Sequence, residues 1–230
     1  MHINLYSLAF FGLIDASYIF SVLELLIVPT ITIYYLIYNK NKTKLFTLFL
    51  LCYAIADILH LLDSDSDSDL LYFLCNSLYV SAYLILLIQI VKTLNFRVIM
   101  KRFLIQTIVL LALVTYLFVV LCSIIDPIIF ETKFLDMVRF TEHIYNLVLL
   151  LLLAVSFLNY LEKDTRKSLL LFIGCLAISN SEFILIGYYY LSDLELLSYL
   201  ASALNILAFV MFYMQSNLDV DRKKDTKVFA

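Results

Sequence analysis

Seven ionisable side chains stand inside stretches of nearly pure hydrocarbon: Glu24, Asp57, His60, Arg139, Glu142, His143 and Glu182. A charged group at the centre of a membrane helix costs about 2.5–3.5 kcal/mol on insertion scales, so each of these needs a partner or a task. For Asp57 and Glu182 a functional pocket is the reading, with structural contacts between helices as the alternative. Asp57 and His60 are three residues apart, on one helical face, where both can line a cavity. Arg139 precedes Glu142 and His143 by three and four residues, a spacing at which the three can neutralise one another; contact with a lipid phosphate or a substrate is the alternative. Glu182 follows Asn180 by two residues, a turn of about 200° around a helix, so the two cannot both point squarely into one pocket.

The elements that position these groups are apolar runs of about 20 residues, matched to a hydrocarbon core of about 30 Å. They predict an all-α, polytopic transmembrane bundle with seven spans: 17–38, 45–62, 70–91, 103–125, 135–160, 168–191 and 196–214. Residues 1–16 read as a short interfacial or half-length helix, with an eighth crossing as the alternative. Residues 17–214 form one bundle domain and 215–230 a basic tail. Fourteen of the 16 Lys and Arg residues fall in four segments, after the first, third, fifth and last spans. Acidic residues dominate the other connections, notably Asp63, Asp65, Asp67 and Asp69. This alternation predicts a cytoplasmic C-terminus and an external N-terminus. In that orientation all seven ionisable groups fall in the outer half of the bilayer. Asn76, Ser77, Ser81, Ser198, Ser202 and Asn205 share that bias, which predicts a polar cavity open to the outside; hydrogen bonding between helices is the plainer reading of the Ser and Asn residues.

The composition excludes several classes. With 63% hydrophobic residues, three Gly and two Pro, the chain has too little polar surface to cover a soluble globule. Its basic residues form short loops rather than a groove-sized patch, so no nucleic-acid partner is expected. Cys52, Cys75, Cys122 and Cys175 all lie in spans without CxxC spacing, giving neither a disulfide framework nor a zinc motif. A metal site built from His60, His143, Asp57 and Glu142 lacks HxxxH or HExxH spacing. The Asp63–Asp69 run lacks the glycine and the final glutamate of a calcium loop. No metal or cofactor is expected, and membrane lipid is the expected partner.

Two segments carry a matched pattern. Residues 52–57 and 175–180 both read Cys-x-Ala-Ile-small-Asp/Asn, ending in Asp57 and Asn180, each 13 residues beyond a lysine (Lys44 and Lys167) and so about 20 Å along its helix. A parallel internal repeat with its site at the repeat interface explains this; chance in Leu- and Ile-rich sequence is the alternative.

With these segments the chain resembles the YhhN-type lysoplasmalogenase family of small polytopic membrane proteins. The similar parts are Glu24 to Pro29 leading into a Tyr-rich span, the basic turn after it, Tyr53 to Asp57, and Ala177 to Asn180, in an order that covers most of residues 20–215. The resemblance implies hydrolysis of the vinyl-ether bond of lysoplasmalogens in a bacterial inner membrane, with Asp57 as acid. It implies a second motif carboxylate, but the chain has Asn180 there, with Glu182 close by. Ala56 stands for the family's Gly, its early Lys-Pro and the His of the following span are missing, and its members typically have eight spans. A catalytically silent protein that binds a lipid or small amphiphile is the alternative, with Glu24, His60, Asn76, Arg139, Glu142 and His143 lining the pocket.

Overall fold

The computed structural model describes the backbone of residues 16–39, 42–63, 69–126, 135–190 and 194–218. The expected N-terminal interfacial helix, the centre of the Asp63–Asp69 run and the tail beyond Leu218 lie outside the described residues. Those described form eight helices: α1 (Ala16–Tyr38), α2 (Lys44–Asp63), α3 (Asp69–Thr93), α4 (Phe96–Arg102), α5 (Leu104–Ile125), α6 (Leu135–Lys163), α7 (Arg166–Tyr190) and α8 (Glu195–Asn217). Helix is the local solution because hydrocarbon offers no partner to a bare backbone N–H or C=O.

Six of the helices, α2, α3 and α5 to α8, are long and apolar enough to cross a membrane. The protein is therefore multi-pass. Helix α1 adds the shorter apolar stretch Leu25–Tyr38. All seven expected spans coincide with helices to within three residues at either end. The connection from Lys92 to Arg102 holds a helix that the apolar pattern did not reveal. In α4, Ile99 is buried while Phe96 and Met100 are exposed, and Lys101 and Arg102 complete its last turn.

Six helices close into a ring. α1 packs on α2, α2 on α3, α3 on α6, α6 on α7, α7 on α8, and α8 returns to α1; α5 lies outside against α6. One end of the ring is basic and tied by polar contacts. Asn39 donates to Ser216 at 2.8 Å and Lys163 to Thr93 at 2.7 Å. The Asn95 backbone N–H meets both Glu162 oxygens, and Lys167 reaches the Leu218 carbonyl. The α6–α7 turn is short because Asp164 takes a left-handed conformation, φ 46°, which Asp tolerates better than most residues. Thr165 and Ser168 then cap α7 reciprocally, each side chain accepting from the other's backbone N–H.

The core is aromatic. Phe49 stacks on Phe209 at 6.0 Å and meets Phe212 edge-on at 5.5 Å. Gly174 is what admits Phe212: a Cβ there would lie 2.5 Å from its ring. Burial also defines a correspondence between α2 and α7. Phe46, Leu50, Tyr53, Ala54, Ala56 and Asp57 are buried, as are Leu171, Cys175, Ile178, Ser179 and Ser181 in the same order along α7. This register is displaced by two residues from the Cys-x-Ala-Ile match. It pairs Phe49 with Gly174, the exposed Ile55 with the exposed Asn180, and Asp57 with Glu182.

Candidate functional site

The inward face of α2 brings Tyr53 and Asp57 into the ring four residues apart, both buried. Across from them α3 presents Tyr79 and Tyr83, again four apart, the spacing that stacks side chains on one helical face. The Tyr79 hydroxyl donates to Asp57 Oδ1 at 2.7 Å. The Tyr83 hydroxyl donates to Glu182 Oε1 of α7 at 2.9 Å, and Tyr145 of α6 interacts with the same carboxylate. Tyr53 joins the two halves. Its ring lies 4.9 Å from that of Tyr79 and 5.9 Å from that of Tyr83, and both Asp57 and Glu182 act on it electrostatically. It also interacts with Asn205 of α8.

A third carboxylate stands one step further from the basic end. Tyr72 donates to Glu142 Oε1 at 2.8 Å, and Glu142 is near enough to Glu182 for its charge to be felt there. Five tyrosines and three carboxylates from four helices thus form one connected group. A hydrogen bond contributes about 0.5–1.5 kcal/mol net and a buried one is costly to leave unmade, so the network fixes where these carboxyl groups sit. Beside it the buried Asn146 leaves both side-chain polar atoms, and Ser179 and Asn205 their oxygens, without a protein partner. Buried polar atoms are rarely left so; water or the polar part of a ligand is the usual partner.

The other sequence-predicted residues separate. Asn180 is exposed on the outside of α7 and donates to the Leu176 carbonyl of its own helix at 2.7 Å. His60 is exposed while Asp57 is buried, so their shared spacing does not bring them together. Asn76 donates to the Tyr72 carbonyl on its own helix. The Arg139–His143 run divides between neighbours. Glu142 faces α3, whereas His143 faces α5, with Nε2 3.0 Å from Asp126 Oδ1 and Nδ1 3.5 Å from Cys122 Sγ. Arg139 is partly buried. Glu24 lies in α1, and its side chain is outside the described residues. Among the described residues no group of three His, Cys, Asp or Glu could hold a metal ion.

The tyrosines are what sequence reading missed, although a signal existed: Tyr79 and Tyr83 repeat at four residues in a span that has no other reason for hydroxyls at that spacing. Fold and site together define a multi-pass helical membrane protein with a tyrosine–carboxylate cluster enclosed by a helix ring. Compared with known proteins, the chain matches no family model, no curated protein and no solved structure.

Proposed function

We propose that this protein is a membrane hydrolase of the lysoplasmalogenase type, with Asp57 and Glu182 as its acid–base pair and the basic end of the ring in the cytoplasm. The observation that carries the reading is that these two carboxyl groups, from α2 and α7, are held by Tyr79 and Tyr83, whose rings both pack on Tyr53. Vinyl-ether cleavage needs one acid to protonate the alkene carbon β to the ether oxygen and one base to guide water onto the oxocarbenium carbon that results. Hemiacetal collapse then releases the aldehyde and the alcohol. Asp57 supplies the acid. Glu182 takes the role that the family resemblance assigns to a motif carboxylate and that Asn180 cannot perform, since an amide is no base. Tyr79 and Tyr83 position the two groups.

The test is aldehyde release from a lysoplasmalogen by purified, folded protein. The reading requires turnover by the wild type, its loss in both Asp57→Asn and Glu182→Gln, and its survival in Asn180→Ala. Turnover that survives Asp57→Asn sinks the mechanism.

A second reading has its own observation. The Tyr79 and Tyr83 hydroxyls already occupy carboxylate oxygens, an arrangement suited to holding an amphiphile's polar head between tyrosine faces and carboxylates rather than to turning it over. Under this reading the folded wild type releases no aldehyde, and a lipid co-purifies with it in mild detergent.

A further inference from the structure

Outside the ring, at the end of α5 away from the basic turns, Phe118, Cys122 and Asp126 follow one another at intervals of four residues and so share the face that meets α6. His143 of α6 is received there. Its ring meets Phe118 edge-on at 6.4 Å, Nε2 lies 3.0 Å from Asp126 Oδ1, and Nδ1 lies 3.5 Å from Cys122 Sγ. The carboxylate fixes the tautomer: Nε2–H donates to Asp126, which leaves the Nδ1 lone pair facing the thiol. Asp126 also stands at the C-cap of α5, where the helix dipole disfavours an anion. A nucleophile, a base within reach of it and a third group orienting that base are the parts of a covalent acyl-transfer site.

From this geometry we infer that Cys122, His143 and Asp126 form a nucleophilic site that accepts the acyl group of a carboxylic ester, such as a glycerolipid, at the membrane surface. The placement selects the substrate class. Cys122 is in the last turn of a helix whose Val119 and Val120 are exposed along the apolar flank. A 22-residue helix spans about 33 Å, so its last turn reaches the boundary of a hydrocarbon core of about 30 Å, where ester carbonyls lie. The bond changes balance without a further reactant. His143 Nδ1 takes the thiol proton as Sγ bonds to the carbonyl carbon, the C–O bond breaks, and the imidazolium returns its proton to the departing alcohol. Water, deprotonated by the same nitrogen, then cleaves the thioester, releasing the fatty acid and restoring the thiol. Asp126 is the positioning residue, holding the ring in the productive tautomer. The inference is independent of the Asp57–Glu182 reading.

The full-length protein in nanodiscs, treated with p-nitrophenyl decanoate, tests it by site-resolved mass spectrometry. A hydroxylamine-labile decanoyl group is expected on Cys122, formed faster than on the partly buried Cys52. His143→Gln slows its formation by about 100-fold or more. Asp126→Asn, at an exposed position and safe for folding, slows it less, and Asp126→Glu restores part of the rate, which a merely structural contact does not predict. Folded wild type whose Cys122 stays unacylated overturns the proposal, as does a Cys122 acylated equally fast in His143→Gln or no faster than Cys52. Asp57→Asn leaves the labelling unchanged, so failure here and failure of the ring-interior mechanism remain distinguishable.

Discussion

α2 and α7 carry nearly the same six-residue pattern and use it on opposite faces. In α2 the terminal Asp57 points inward and binds Tyr79; in α7 the terminal Asn180 points outward and satisfies itself on its own backbone. Two residues on, Glu182 occupies the inward position that corresponds to Asp57. Residues that read as equivalent are rotated by two helical steps, so a motif aligned by letters need not be one aligned by environment. The same correspondence sets Phe49 against Gly174, the bulky ring of one helix answering the bare backbone of the other, with Phe212 in the space between.

The sharpest way to break this comparison is to disable Glu182 and Asn180 one at a time. Glu182→Gln is expected to lower aldehyde release by about 100-fold or more, the usual size of a general acid–base contribution, whereas Asn180→Ala stays within about twofold, as outward-facing substitutions do. Equal losses in a turnover assay would restore the letter-based alignment.

Phe49→Ala probes the bulky side of the pair. It is expected to cost about 3 kcal/mol, the low end of the range for a buried phenylalanine, because lipid also solvates what leaves the core. Reversible unfolding in mixed micelles reads this. Gly174→Ala probes the other side by pushing a methyl group onto Phe212, which is fully buried and cannot swing away; a loss of about 1–3 kcal/mol is expected in the same assay. If Gly174→Ala is neutral and Phe49→Ala is not, the two helices are not matched at this level. The smallest effect expected is from Tyr79→Phe, which removes one hydroxyl from Asp57 but keeps the ring. Stability should fall by about 1 kcal/mol, and Tyr83→Phe should match it if the Asp57 and Glu182 sites are equivalent.

Much of this was legible in the chain. Lipid makes helix the only local answer for each apolar run, and the lengths of those runs set the helix ends to within three residues. The inward place of Asp57 was also readable, because a carboxylate deep in an apolar span must find partners away from lipid. Helix α4 was not legible: seven residues half apolar and half basic, lying between spans, carry too little periodicity to separate a helix from a loop.

The sequence by itself determined the multi-pass helical architecture, the clustering of charge between spans and the identity of the carboxylates that had to be accommodated, since each follows from transfer free energies that act residue by residue. Only the tertiary structure decided the ring order with α5 left outside, the rotation of α7 that turns Glu182 inward and Asn180 outward, and the meeting of His143 with Cys122 and Asp126. Those depend on how whole helices roll against one another. In a chain whose spans are apolar on nearly every face, side-chain fit such as that of Gly174 beneath Phe212, rather than hydrophobic periodicity, sets the roll.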